Sequence, residues 1–247
     1  MILNLLQIGR VPYTEGLELQ RRLVAERHAD RIGNTLVLLE HPPVLTLGRN
    51  ASRAHILASN EFLASQGIEV HEINRGGDVT YHGPGQLVGY PIFDLRSYTP
   101  RLGAVDFVRR IEEALIRACG DFGVPATRIP GRTGVWTLAG GTIQEKKVAA
   151  IGIHIARGIT SHGFALNVNP DLRDFELIVP CGIADRSVTS LELEAGQESD
   201  LSPSMETVRN AVARQFGRVF ELPVLAAETL SDLLPESPTL SAAAADL

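Results

Sequence analysis

The chain has 247 residues, 44% hydrophobic and 21% charged, with a formal net charge of −6; a chain this long can bury a sizeable core without covalent staples. The negative charge argues against nucleic-acid binding by bulk electrostatics, two cysteines are too few for a disulfide framework, and no run of about 18 apolar residues is present to span a membrane. The cysteine usage fits a reducing, cytoplasmic setting, and MILNLLQIGRVPY lacks the basic stretch and apolar length of a signal peptide.

Residues 14–30 (TEGLELQRRLVAERHAD) read as a helix with Thr14 as N-cap. NTLVLLEH (34–41) is an apolar run of buried-strand length that stops at Pro42-Pro43, and VLTLG (44–48) reads as a second strand. EFLASQGIEVHEI (61–73) predicts a short helix, a stop at Gly67 and a strand. Over 104–122, Val108, Ile111, Leu115, Cys119 and Phe122 recur at spacings of three and four, the stripe of an amphipathic helix. Cys119 on that stripe is a buried structural residue. From 133 the pattern turns to β: TGVWTL, then AGGT, then KKVAAIGIHIA predict a hairpin with a glycine turn, followed by a strand in ITSHGFALNVN (159–169). Residues 202–220 predict a helix with Met205, Val208, Val212, Phe216 and Val219 on one face. The stretch after Pro223 is acidic, Ala/Ser-rich and free of aromatics, the composition of a weakly ordered extension. The organisation is one catalytic domain over 1–222 and a tail over 223–247. Strands and helices interleave without a regular βαβ rhythm, so the class is α/β or α+β with a mixed sheet.

The chemistry-bearing residues cluster. RGGDVTYHGPGQLVGYPI (75–92) holds five glycines and two prolines in eighteen residues, which lets a backbone take positive φ and approach a ligand closely. Gly83, Gly85 and Gly89 are spaced GxGxxxG, which is neither a dinucleotide fingerprint nor a P-loop. The chain has 21 arginines and two lysines, Lys146 and Lys147. Arginine cannot give up its proton near neutral pH and lysine can when its surroundings favour the neutral amine, so a position that must act as a base resists replacement by arginine. On a strand the two lysines face opposite ways, and Lys147, which abuts the apolar run, is the candidate base. Cys181 lies between Pro180 and Gly182, off any helical stripe, and reads locally as either a small buried residue or a nucleophile. A Cys–His dyad with His82 or His162 stays open at this level. No HxH, HExxH or CxxC spacing supports a metal site.

Five stretches, in this order, resemble one family: EHPPVLTLGR (40–49), RGGDVTYHGPGQLVGYPI (75–92), GVW…EKKVAAIGIHI (134–155), SHGFALNVN (161–169) and PCGIADRSVTSLELE (180–194). They resemble the lipoyl(octanoyl) transferases, the octanoyl-[acyl-carrier-protein]–protein N-octanoyltransferases, over about residues 1–220. The resemblance implies a mixed sheet flanked by helices plus a smaller sheet, like the catalytic domain of biotinyl and lipoyl protein ligases. It implies Cys181 as the acyl-thioester nucleophile and Lys147 as its partner. It also implies an acyl pocket of Arg75, Gly76, Gly77, Asp78, Val79, Thr80, Tyr81 and His82, with Ala150, Ile151 and Gly152, and Gly163, Phe164 and Ala165. The implied donor is octanoyl-acyl carrier protein. The implied acceptors are lipoyl domains of 2-oxoacid dehydrogenase E2 subunits and the glycine cleavage H protein. Thioester-for-thioester exchange needs neither ATP nor a cofactor. Carrier proteins are usually acidic, so a local basic patch is expected, with Arg49, Arg53 and Arg75 as candidates.

Overall fold

The runs at residues 34–40 and 86–92 are buried along almost their whole length, the pattern of strands covered on both faces. They form the centre of a large sheet in the computed structural model, which describes residues 1–138, 144–179, 187–196 and 202–234. In chain order the elements are β1 (Leu3–Arg10), α1 (Tyr13–His28), β2 (Asn34–Glu40), β3 (Val44–Leu47), α2 (Asn60–Ser65), β4 (Glu69–Glu72), β5 (Val79–His82), β6 (Gln86–Ile92), α3 (Ala104–Gly120), β7 (Ala126–Ile129), β8 (Arg132–Thr137), β9 (Lys147–Ala156), β10 (Ile159–Asn167), α4 (Leu191–Ala195), α5 (Met205–Phe220) and β11 (Val224–Ala227).

Among the described residues, eight strands form one mixed sheet in the order β11-β1-β2-β6-β10-β9-β8-β7, and three form a small sheet, β4-β3-β5. The mixed sheet flanked by helices is the expected class. Helices α3 and α5 pack on one face of the large sheet around Phe93, Phe107, Ile111, Leu115, Phe216 and Phe220. Helix α1 covers the other face through Leu23, against Val37, Leu39 and Ile92. The stripe predicted for α3 is buried at Ile111, Leu115 and Cys119. Burial pushes the Cys119 thiol up to about 12, which suits an inert core residue.

Three local expectations change. Helix α1 is preceded by Pro12, not capped by Thr14, which lies inside the helix; proline's fixed φ suits a helix entrance. Helix α5 begins at Met205, where Ser204 and Thr207 make a reciprocal capping box. Within the stretch expected to be a loose extension, β11 pairs in parallel with β1 from Val224 to Ala227. Its side chains stay largely exposed, so backbone bonding to a sheet edge, not side-chain burial, makes the strand. The expected AGGT turn lies outside the described residues.

Candidate active site

Alternation along β5 builds one wall of a cleft. Thr80 and His82 face the large sheet and line the cleft. Val79 and Tyr81 point the other way, into the small core with Leu45, Leu63 and Phe175, where the Tyr81 hydroxyl donates to Asp174. The implied pocket therefore divides: Arg75, Gly77, Asp78, Thr80 and His82 line the cleft, whereas Val79 and Tyr81 support it from behind. A strand cannot present four consecutive side chains to one side. Gly76 does not line it either; its N–H donates to Ile153 O at 2.9 Å, fastening the loop to β9.

The floor is β9, β10 and β6. Gly152 pairs with Gly163 and Ala150 with Ala165, and Ala165 pairs in turn with Val88 of β6. Four small side chains from two neighbouring strands thus meet on one surface. All four line the cleft with Ile151 and Phe164. Glycine at 152 is required by the close approach of the loop: a Cβ there would lie 2.6 Å from Gly76 O.

Arg75 is buried, its guanidinium donating to Thr46 O at 2.7 Å, to Thr46 Oγ1 and to Gly76 O. It is a wall of the cleft and not part of a surface patch. Of the other two expected patch residues, Arg53 is paired with Glu72 at 2.9 Å. Arg49 is exposed and lines a separate groove with Val105, Arg109 and Arg132.

Three lining residues were not singled out in the sequence, Tyr13, Val88 and Tyr90, and His162, considered there only as a dyad partner, lines the cleft with them. Val88 and Tyr90 sit two apart on β6, a spacing that marks a shared face; nothing local signals Tyr13. His162 takes a left-handed backbone, φ 54°, and its N–H donates to Gln20 Oε1 of α1 at 2.7 Å. Desolvation lowers the histidines of this region, His82 to about 3 and His41 and His162 to about 4, so all three are neutral at pH 7. His82 Nδ1 contacts Gln86 Oε1 at 2.7 Å, and the Gln86 amide donates to Asn167 Oδ1 at 2.9 Å and to Tyr81 O. Since the Gln86 oxygen accepts, His82 Nδ1 carries the proton and its Nε2 is the acceptor.

Lys147 opens β9 and is buried, whereas Lys146 is partly exposed and lies 3.5 Å from Glu194. The Lys147 ammonium lies over the Trp136 ring, 4.8 Å from its centre. Its backbone N–H donates to Ser187 O and its carbonyl accepts from Thr189 N. The chain on either side of residues 180–186 is therefore anchored: Val179 N donates to His55 O at 2.8 Å beside the small sheet, and Ser187 is bonded to Lys147. Cys181 lies outside the described residues. Among those described, no group of three or more His, Cys, Asp or Glu is arranged to hold a metal ion, and no helix is long and apolar enough to cross a membrane.

The two-sheet α/β domain with its apolar cleft belongs with the acyl-group transferases and ligases of the lipoyl type. Residues 12–217 match the model of the lipoyl protein ligase A/B catalytic domain. The chain is 68% identical over 246 residues to an octanoyltransferase of Acidobacterium capsulatum, covering 98% of this chain and 99% of that protein. It is 54% identical over 243 residues to the octanoyltransferase of Koribacter versatilis, covering 98% and 94%. Among solved structures, an archaeal bipartite lipoate protein ligase studied with its E2 lipoyl domain, from Thermoplasma acidophilum, matches with a TM-score of 0.69 at 18% identity, covering 94% of this chain and 89% of that one. Lipoate-protein ligase A bound with ATP matches with a TM-score of 0.67 at 17% identity, covering 94% and 91%; both likenesses establish the fold. The chain belongs to the lipoyl protein ligase A/B catalytic domain family, and within it is an acyltransferase of the octanoyltransferase kind.

Proposed function

We propose that this enzyme moves an octanoyl group from octanoyl-acyl carrier protein to a lysine ε-amine on a lipoyl domain, by way of a thioester on Cys181. The Cys181 thiolate attacks the donor thioester carbonyl, and the carrier's phosphopantetheine thiolate leaves. The acceptor lysine, having lost a proton, attacks the new thioester. The carbon–nitrogen bond forms, the carbon–sulfur bond breaks, the nitrogen sheds its remaining extra proton to Lys147, and Cys181 returns as thiolate. Lys147 handles the proton in both halves, the assistance a thiol nucleophile and an ammonium acceptor each need.

The observation that carries this reading is the position of Lys147. It is a buried lysine at the head of the strand whose next residues, Ala150 to Gly152, floor the cleft. Its backbone holds Ser187 and Thr189, six and eight residues beyond Cys181. An acyl chain on the Ala/Gly floor would have its carbonyl end towards β9 and Lys147. The acceptors by this reading are lipoyl domains of 2-oxoacid dehydrogenase E2 subunits and the glycine cleavage H protein, in the cytoplasm. The exposed Arg49, beside a groove whose charged lining is Arg49, Arg109 and Arg132, supports docking of an acidic carrier protein there.

Intact-mass spectrometry after incubation with octanoyl-acyl carrier protein tests the proposal. A gain of one octanoyl group, absent in Cys181→Ala and discharged by an added lipoyl domain, is the expected result. No adduct on the wild type, with activity instead from free octanoate plus ATP, would replace it with an adenylate-forming ligase.

A further inference from the structure

The cleft has two ends, and only one is the chemical end. Lys147 lies on β9 three residues before Ala150, the first floor residue of that strand. Val88 on β6 is level with Ala150 through Ala165, and Tyr90 stands two residues beyond it on the same face. Tyr90 is therefore five residues along the strands from Lys147, about 17 Å, as well as two strand spacings across, about 9.6 Å. A chain with its carbonyl at the Lys147 end and its tail over the Gly/Ala floor points its last carbons towards Tyr90.

Tyr90 is held there firmly. His41 Nδ1 lies 2.6 Å from Val11 O. A carbonyl only accepts, so Nδ1 carries the proton and Nε2 of the neutral ring is bare. The Tyr90 hydroxyl, 2.6 Å away, donates to that Nε2. Tyr13 packs edge-on against His41, ring centres 5.0 Å apart. Helix α1 closes the back: a Cβ on Gly16 would lie 2.8 Å from His41 Cε1 and 3.8 Å from the Tyr90 ring. A buried ring fixed at its hydroxyl and backed by a close-packed helix has no room to swing aside.

We infer that Tyr90, fixed by its hydrogen bond to His41, is the end-stop of the acyl cleft and limits the length of chain it takes. The inference rests on the proposed octanoyl transfer and adds the residue that measures the chain. Removing the ring opens space at the tail end and leaves the Lys147 end untouched. Filling the same end from Val88 shortens the cleft.

The test is the initial rate of thioester consumption with acyl-pantetheines of six, eight, ten and twelve carbons, for wild type and variants, with the circular-dichroism spectrum of each recorded. Tyr90→Ala is expected to raise the twelve-carbon to eight-carbon ratio of kcat/KM by at least about tenfold, the size set by a few methylenes in an apolar pocket. Tyr90→Phe keeps the ring and is expected to stay near the wild-type optimum. Val88→Phe is expected to move the optimum towards six carbons, so the proposal stays testable if Tyr90→Ala does not fold. An unchanged length profile in folded Tyr90→Ala, or in Val88→Phe, overturns the end-stop. Failure of wild type to consume any thioester overturns the proposed transfer instead.

Discussion

The side-chain nitrogen of Lys147 and the ring of Trp136 lie face to face, 4.8 Å from nitrogen to ring centre. They are cross-strand partners on β9 and β8, so the pairing of two neighbouring strands delivers both. A cation over an indole face is held in place as well as stabilised, by up to about 2 kcal/mol where water is excluded. Trp136 is therefore a positioning residue for Lys147. Trp136→Leu is expected to lower the rate of octanoyl transfer to the lipoyl domain several-fold or more, with KM for the donor little changed and partial recovery in Trp136→Phe. Equal loss in the Leu and Phe variants, measured by kcat and KM for both substrates, would leave the ring without this role.

Replacing Lys147 itself separates charge from proton transfer. Lys147→Arg keeps the cation but removes a group able to hold and release a proton near neutral pH. Thioester formation on Cys181 should persist at a reduced rate. Discharge to the lipoyl-domain amine should slow by roughly a hundredfold or more, the usual share of a general base. Single-turnover intact-mass kinetics resolve the two steps; an Arg variant that discharges at the wild-type rate removes Lys147 from the second.

The three buried histidines make stability fall in mild acid. Desolvation keeps His82 at about 3 and His41 and His162 at about 4, against about 6.5 in an unfolded chain. Between those values the unfolded chain binds protons that the folded chain refuses, so stability rises with pH through the window. Their contribution is complete above about pH 6.5 and is lost as pH falls towards 4 and, for His82, 3. For His41 alone a shift of that size corresponds to on the order of 3 kcal/mol. The urea midpoint should drop between pH 7 and pH 5. In His41→Gln it should start lower at pH 7, through loss of the Tyr90 bond, and fall less between the two.

The fold was largely legible because its signals are local. The α3 stripe marked Cys119 as core, and the double burial of residues 34–40 left an apolar run, whereas β6, interrupted by Gly89 and Pro91, was not legible as a strand. The site was legible as motifs but not as a surface. The run from Arg75 to His82 reads as one unit, yet β5 alternation sends Val79 and Tyr81 away from the cleft. Tyr13 and Tyr90 line one cleft only because α1 lies across β6, a juxtaposition over 77 residues that no local pattern encodes. Strand β11 escaped notice because edge pairing uses backbone groups that every sequence has.

Gly152 offers a test of how the loop is held. A methyl group there would stand 2.6 Å from Gly76 O and 3.2 Å from Arg75 Cδ. The first neighbour is backbone and cannot swing away, so Gly152→Ala must lift the Arg75–Gly77 loop from β9 and strain the Gly76 N–H bond to Ile153 O. Overpacking of this kind costs roughly 1–3 kcal/mol. A melting temperature lower by several degrees is expected, with a higher KM for the acyl donor because the displaced loop is the roof of the cleft.

Arg49 tests the docking surface. It is exposed, beside a groove whose other charged lining residues are also arginines. Reversing a rim charge changes encounter with a charged partner more than it changes chemistry. Arg49→Glu should therefore raise KM for octanoyl-acyl carrier protein by several-fold at low salt, and the difference should shrink as added salt screens it. With octanoyl-pantetheine, which lacks the acidic carrier, the same variant should match the wild type. An unchanged KM for the carrier-bound donor across that salt series would take Arg49 out of the docking surface, and an equal loss with octanoyl-pantetheine would assign it to the fold of the Gly48–Asn50 segment, whose N–H groups are bonded to Arg75, Gly77 and Asp78 carbonyls.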